Sequence, residues 1–324
     1  MRSILQVPGP VKSLFDKLPL QQYDPVDKRD DALEYELRSR TYDFQGPQAA
    51  QKSANDTFQL GVYQVRYDSI SNCYLASDPW CLFTQLSLCK KNDLKLNTKG
   101  NNMSDQKTSS GSYLPHSVFE VSPLASNDGF LPILIEGHTT RNVRSSSSIY
   151  QILNSRLSTS EELMYVLLLD SIVYDCYMTK VLYELKVSQF LSLYAGHCSK
   201  AVDPFVYHTL CEELSKRNGF ALRHRENATV PARYLDISQR SSNFQLIVGR
   251  RQENCQQTLI QFQDLLGKFK FFRDASDPSY LDLKLASYVH CLLHLPEPAS
   301  LAQFLHEQCP ILVDHSRRTI SRYK

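Results

Sequence analysis

The chain has 324 residues, of which 42% are hydrophobic and 10% aromatic, and this is enough for packed cores in two domains of ordinary size. Its 36 basic and 34 acidic residues leave a formal charge of +2, which gives no electrostatic reason to expect a nucleic acid as the main partner. The nine cysteines show no paired CxxC spacing, which argues against a secreted disulfide framework.

The first 55 residues alternate proline, charge and short apolar clusters, which predicts an extended arm with a short helix at 27–40. The arm carries Phe15, Leu18 and Leu20, and apolar clusters of this kind often mark contact surfaces. Two interpretations stay open: these side chains pack on the chain's own domain, or they dock on a partner. The first eight residues hold too short an apolar run for a signal peptide, so we expect no cleaved presequence.

The next hundred residues alternate strand and helix patterns. A strand is predicted at 58–67, and Asp78-Pro79-Trp80 then predicts the start of a helix, because Asp is a good N-cap and Pro suits the first helical position. Residues 97–112 are rich in Asn, Ser, Gly and Lys, which predicts a flexible insertion. Further strands are predicted at 118–121, 130–135 and 142–144, followed by a helix capped by a serine near Ser145.

From about residue 161 to the end, the pattern predicts helices only. The most apolar stretch is interrupted by Asp170 and Asp175, so no transmembrane segment is expected. Eight basic residues lie from 216 to 251 against two acidic ones, and we interpret this stretch either as a solvated loop or as a surface attracted to an anionic membrane. Ser279 and Asp282 form a capping box that opens a further helix.

The order β-α-β-β-β-α, with a proline opening the third strand and an all-helical half after it, resembles the glutathione-transferase fold. That resemblance implies an α/β thioredoxin-like domain followed by an all-α domain, with Pro132 in the cis form. The predicted parts are an arm at 1–55, a thioredoxin-like domain at 56–155 with its insertion at 97–112, and a helical domain at 156–324 with a basic insertion at about 186–250.

Six groups of residues, spread over nearly the whole chain, carry a more specific resemblance. They are Pro10-Val11-Lys12 with Phe15-Asp16 and Pro19-Leu20-Gln21, Leu60 to Tyr63, Asp78 to Phe83, Leu131 to Leu134, Met164-Tyr165 with Leu169-Asp170, and Leu281 to Cys291. These segments are similar to those of the fungal metaxin-like small receptor subunits of the mitochondrial sorting and assembly machinery, the SAM complex.

The resemblance implies a peripheral protein on the cytosolic face of the mitochondrial outer membrane. Its implied partners are a β-barrel insertase subunit, a second and larger metaxin-like subunit, and β-barrel precursors, whose last strand carries a sorting signal called the β-signal. The implied role is that of a non-catalytic subunit that helps recognise the β-signal and insert precursors. The alternative is a scaffold adaptor that stabilises the insertase without touching precursors.

The expected contact residues are Phe15, Leu18 and Leu20 in the arm, and Asp78, Trp80 and Pro132 where this fold usually opens its ligand cleft. The alternative for Trp80 is burial between the two domains. Substrate recognition would use a groove or an exposed sheet edge, the two modes by which an extended segment is usually bound.

A glutathione transferase is the enzymatic alternative. Thiol-type members have a Cys-Pro pair at the start of the first helix, whereas this chain has Asp78-Pro79, and a carboxylate there would repel a thiolate. The γ-glutamyl site reads Ser145-Ser146, without the usual acid or glutamine. His290 and His294 are four residues apart on one predicted helix, and we interpret them as satisfied histidines rather than metal ligands. We expect no catalytic residue, no cofactor and no metal.

Overall fold

The computed structural model describes residues 31–50, 57–98, 116–137, 141–196, 203–224 and 242–324. The chain forms two compact units, Met1–Arg40 and Thr41–Lys324. The first unit is described only in its last ten residues, where helix α1 (Asp31–Ser39) confirms the short helix predicted at 27–40. The arm residues Phe15, Leu18 and Leu20, and most of the predicted insertion at 97–112, lie outside the described residues.

The strands of the second unit are β1 (Thr41–Asp43), β2 (Thr57–Val62), β3 (Val65–Asp68), β4 (Cys73–Ala76), β5 (His116–Glu120), β6 (Ile133–Gly137) and β7 (Arg141–Arg144). Five of them form one sheet, with the order β1-β5-β2-β6-β7. Strands β2 and β5 are parallel and all other neighbours are antiparallel. Two more strands, β3 and β4, form a separate antiparallel hairpin.

The strand predicted at 58–67 is in fact two strands. The chain leaves the main sheet after Val62, and the carbonyl of Gln64 accepts a hydrogen bond from the backbone N–H of Ser77, which starts the β3–β4 hairpin. Strand β1 was not predicted, because three residues are too few to show an alternating pattern. The Leu131–Pro132 peptide bond is cis, as the resemblance implied.

Helix α2 (Pro79–Asn92) begins where the sequence predicted it. The Asp78 carboxylate accepts hydrogen bonds from the backbone N–H groups of Trp80 (3.0 Å) and Cys81 (3.3 Å), so it satisfies two donors that a helix start leaves unpaired. Most residues of α2 are buried, because the helix packs against the helix that follows the Ser279 cap. The helix ends at Asn92, and its C-cap residue Asp93 has a left-handed backbone conformation.

The described residues beyond 145 contain helices and no strand, which confirms the mixed α/β and all-helical character of the chain. The helices are α3 (Ser146–Asn154), α4 (Ser160–Leu168), α5 (Tyr174–Tyr183), α6 (Val187–Tyr194), α7 (Asp203–Lys216), α8 (Phe220–Arg223), α9 (Ser242–Leu266), α10 (Tyr280–Leu293), α11 (Ala302–Gln308) and α12 (Pro310–Ser321). A π-helical turn, Leu169–Val173, joins α4 to α5. Within the described ranges, no helix has the length and apolarity needed to cross a bilayer.

The predicted capping box is present at the start of α10. The Ser279 hydroxyl accepts from the backbone N–H of Asp282 at 3.2 Å, and the Asp282 carboxylate accepts from the backbone N–H of Ser279 at 2.7 Å. Helix α10 is largely buried and packs against both α2 and α12. Residues 41–324 form one compact unit, and the division of this unit at residue 155 stays a prediction.

Candidate functional site

A fully buried ion pair lies at the N-terminus of α2. The two terminal nitrogens of Arg217 donate to the two carboxylate oxygens of Asp78, at 3.1 and 2.7 Å, and neither side chain is more than 1% exposed. Arg217 opens a 3₁₀ turn, Arg217–Gly219, that directly follows α7. Such two-point pairing is among the strongest hydrogen-bonding arrangements, and it offsets part of the cost of removing both charges from water.

Aromatic side chains surround this ion pair. The rings of Tyr63, Trp80 and Tyr174 have their centroids 6.0, 5.3 and 5.5 Å from the guanidinium carbon of Arg217. The Tyr174 hydroxyl accepts a hydrogen bond from Nε of Arg217 at 3.0 Å and donates one to the backbone carbonyl of Arg217 at 3.2 Å. The Tyr194 hydroxyl donates to the Asp78 carboxylate at 3.2 Å. The ion pair is therefore held by groups from the sheet side, from α2 and from the helical half.

A second buried ion pair connects the π-helical turn to α10. Lys284 donates to Asp170, which also accepts from the hydroxyls of Tyr150 (2.7 Å) and Tyr288 (3.0 Å). Burial lowers the pKa of Lys284, and the charge of Asp170 opposes that shift. The indole N–H of Trp80 donates to the Tyr288 hydroxyl at 3.1 Å, so Trp80 links the two ion pairs.

These side chains fill the region where the ligand cleft was expected. The ring of Trp80 stacks on Tyr150 with centroids 5.2 Å apart and an interplanar angle of 13°. The cavity left beside them is about 10 Å³ and is lined by Pro132, Ser146 and Lys284 among others. A cavity of this size holds about one water molecule.

The structure thus brings two of the three predicted cleft residues, Trp80 and Pro132, to one small cavity and places Asp78 in the first ion pair. Asp78 and Pro132 are buried, whereas Trp80 is half-buried and is the member of this group that offers surface. The arm residues predicted to contact a partner lie outside the described residues, so their part of the site stays a prediction.

In a transferase a hydroxyl or thiol near the end of the first strand or the start of the first helix would stabilise the glutathione thiolate, and here the groups at those places, Tyr63 and Cys81, serve structural roles, as does Ser145. The Tyr63 hydroxyl accepts from the backbone N–H of Leu131 at 3.2 Å, and burial raises the pKa of Tyr63. Cys81 is completely buried, and that burial raises the pKa of its thiol well above the usual value. Ser145 caps α3 through the backbone N–H of Ser148. The hydrogen bonds and ion pairs of this site hold the sheet and the helices together.

The stretch of basic residues from 216 to 251 is not simply a solvated loop. That interpretation is wrong for Arg217, which is buried in an ion pair with Asp78 and in contact with three aromatic rings. Nε of Arg223 donates to the Asp175 carboxylate at 3.1 Å. Arg251 donates to the Thr179 hydroxyl at 3.2 Å. Residues 225–241 lie outside the described residues. No sequence signal connected Arg217 to Asp78, which is 139 residues away.

His290 and His294 have ring centroids 4.2 Å apart, and a ring nitrogen of His294 lies 2.8 Å from the carbonyl oxygen of His290. Burial, reinforced by His294, lowers the pKa of His290 to about 3, so His290 is neutral at pH 7. In the part of the chain that the structure describes, no group of three or more His, Cys, Asp or Glu side chains is arranged to hold a metal ion.

Fold and site together define a mixed α/β and helical protein in which two buried ion pairs fill the region around Trp80. Residues 5–136 match the family described as SAM35, subunit of the SAM complex. The chain is also 35% identical, over 340 aligned positions, to the sorting assembly machinery 35 kDa subunit of Saccharomyces cerevisiae, and the alignment covers 100% of this chain and 99% of that protein. The chain therefore belongs to the SAM35 family of metaxin-like SAM complex subunits.

Proposed function

We propose that this chain is a non-catalytic receptor and assembly subunit, which helps recognise the β-signal of β-barrel precursors and insert them into the mitochondrial outer membrane. The observation that carries this proposal is the closed cleft at the start of α2, where a cavity of about 10 Å³ remains. Sites for small molecules usually measure about 300–1,000 Å³. A site filled by buried ion pairs suits a rigid binding protein better than a transferase, and the similar yeast protein is named as a sorting assembly subunit.

The glutathione-transferase-like arrangement is part of this proposal. It is supported by the order β5-β2-β6-β7 with one parallel pair, by the cis bond before Pro132, and by the capping box at Ser279. A thioredoxin-like domain at 56–155 and a helical domain at 156–324 would then meet at the Asp78–Arg217 pair. A fold of this kind can lose its chemistry and be kept for binding.

The proposed partners are the β-barrel insertase subunit and a second, larger metaxin-like subunit, with the chain peripheral on the cytosolic face of the membrane. Phe15, Leu18 and Leu20 would dock the arm on the insertase. Deleting residues 1–22 should then release the chain from the complex while its unfolding transition stays unchanged. Full co-purification of the truncated chain would contradict the docking role.

The precursor contact is proposed to lie around Trp80, with Asp78 and Pro132 positioning it. Trp80 is half-buried beside Tyr150, and α3 next to it presents uncharged side chains such as the exposed Gln151. Uncharged and apolar surface suits an extended segment that offers apolar side chains at alternate positions. Because Asp78 caps α2 and pairs with Arg217, its contribution would be indirect.

Site-specific photo-crosslinking tests this proposal. A photoreactive amino acid at Gln151 should crosslink to an arrested β-barrel precursor, and the product should disappear when the β-signal is deleted from the precursor. The same amino acid at the exposed Lys91, at the end of α2, is the matched control. Crosslinks to SAM subunits alone, with none to the precursor, would favour the scaffold adaptor instead.

A further inference from the structure

The turn that follows α9 exposes an aromatic ring between two lysines. Phe269 is 48% exposed, and its neighbours Lys268 and Lys270 are both exposed. The next two residues, Phe271 and Phe272, are only 4% and 6% exposed. The fold therefore buries two of the three phenylalanines in this short run and leaves Phe269 outside. Residues 268–270 are called the KFK turn below.

The KFK turn is held in place by its own backbone and by α10. Gly267 has a φ of +55°, and its N–H donates to the carbonyl of Gln263 at 2.9 Å, which closes the end of α9. The N–H of Phe269 donates to the carbonyl of Leu266 at 3.1 Å. On the other side, the N–H of Phe272 donates to the Asp282 carboxylate at 3.0 Å. Exposure of Phe269 thus follows from an ordered backbone.

Positive charge surrounds the exposed ring. The exposed Arg318 of α12 donates to the carbonyl of Lys270 at 3.0 Å, which adds a third cation to the two lysines. The exposed acids that flank the turn most closely in sequence are Asp264 and Asp274, so two negative charges stand against the three positive charges of Lys268, Lys270 and Arg318. The turn therefore presents an aromatic ring inside a cluster with a net positive charge.

We propose that the KFK turn is a contact with an anionic membrane surface. Phe269 would enter the interfacial region, while Lys268 and Lys270 would pair with lipid phosphate groups and let their aliphatic stems lie along the apolar boundary. A protein partner fits less well, because lysine is depleted in protein–protein interfaces. Arg217, Arg223 and Arg251, which belong to the basic stretch 216–251, make internal contacts instead and carry no part of this proposal.

Vesicle co-sedimentation of the full chain tests the proposal. The chain should bind vesicles that contain an anionic phospholipid and not vesicles of neutral lipid alone, and added salt should weaken binding. The double variant K268Q/K270Q should lose roughly 25-fold in the partition coefficient, since each lysine near such a surface contributes roughly fivefold. Phe269→Ala should lose about tenfold, because a half-exposed ring no longer enters the interface.

Phe205→Ala is the matched control, because Phe205 is 74% exposed and lies on α7. It should bind vesicles like the unchanged chain. K268Q/K270Q and Phe205→Ala should keep the urea midpoint of the unchanged chain, and Phe269→Ala should lower it only slightly, since Phe269 is 48% exposed. Unchanged binding by both KFK variants, an equal loss in Phe205→Ala, or no binding of the unchanged chain to anionic vesicles would each overturn the proposal. The vesicles contain no protein, so this result is separate from the outcome of the precursor crosslinking.

Discussion

Replacing Arg217 by methionine should be among the most damaging single changes in the helical half. Methionine keeps the apolar bulk inside the aromatic cage but leaves the Asp78 carboxylate, which is 0% exposed, without its cation. Breaking a buried pair from one side typically costs about 3–5 kcal/mol. We expect a value near the lower end, about 3 kcal/mol, because Asp78 keeps its hydrogen bonds from Trp80, Cys81 and Tyr194.

The free energy of unfolding is measured by urea titration, followed by the fluorescence of Trp80. This is the only tryptophan in the chain, and its ring lies 5.3 Å from the guanidinium carbon of Arg217, so the signal reports on the site itself. The double variant D78N/R217M removes both charges and should be more stable than Arg217→Met alone by about 1–2 kcal/mol, as expected for directly coupled residues.

Arg322→Gln is the control, because Arg322 pairs with Asp277 at 2.8 Å on the surface, where both side chains are 55% exposed. Exposed pairs contribute about 0–1 kcal/mol. If Arg217→Met lowered the free energy of unfolding no more than Arg322→Gln does, the ion pair would not stabilise the fold. A double variant no more stable than Arg217→Met alone would contradict the expected coupling between the two residues.

Three further changes test other parts of the structure. Burial raises the pKa of Asp43 from 3.8 to about 6, so the folded state binds this proton more tightly than the unfolded state does. The free energy of unfolding therefore falls as the pH rises from about 4 to 6. Asp43→Asn should remove this pH dependence and raise the free energy of unfolding at pH 7 by about 1 kcal/mol, a small value because the group is partly exposed. A Cβ added at Gly61 would lie 2.7 Å from Ile133 and 2.8 Å from Val121, so Gly61→Ala should cost about 1–3 kcal/mol in urea unfolding. In contrast, Gly249 in α9 has nothing within 4 Å of that position, and Gly249→Ala should stabilise by about 1 kcal/mol in the same assay; a loss there would contradict the described packing of α9.

Features that depend on neighbouring residues could be predicted from the sequence. Asp78-Pro79 and the Ser279–Asp282 box both start helices where expected, because capping is decided within one helical turn. The cis bond at Pro132 was also implied before the structure, by the resemblance. The division of the 58–67 strand was missed, because the break near Gln64 depends on a backbone contact with Ser77, 13 residues further along.

The Asp78–Arg217 ion pair could not be predicted, because its two residues are far apart in the sequence. Asp78 was correctly identified as a helix cap, but its partner Arg217 lies in a stretch whose composition is that of a solvated loop. Charge counting treats every arginine alike, whereas the fold buries Arg217 completely and leaves Lys268 and Lys270 exposed. Only the three-dimensional arrangement decides which cations are internal and which are available for a partner.

The central claim, that this chain assists the assembly of β-barrel proteins in the mitochondrial outer membrane, is tested most directly by import into mitochondria depleted of it. A radiolabelled β-barrel precursor and a single-span outer-membrane protein are imported side by side, and assembly is followed by native electrophoresis. We expect barrel assembly to be lost while the single-span protein inserts normally. Normal barrel assembly in the depleted mitochondria would contradict a role of this chain in barrel assembly.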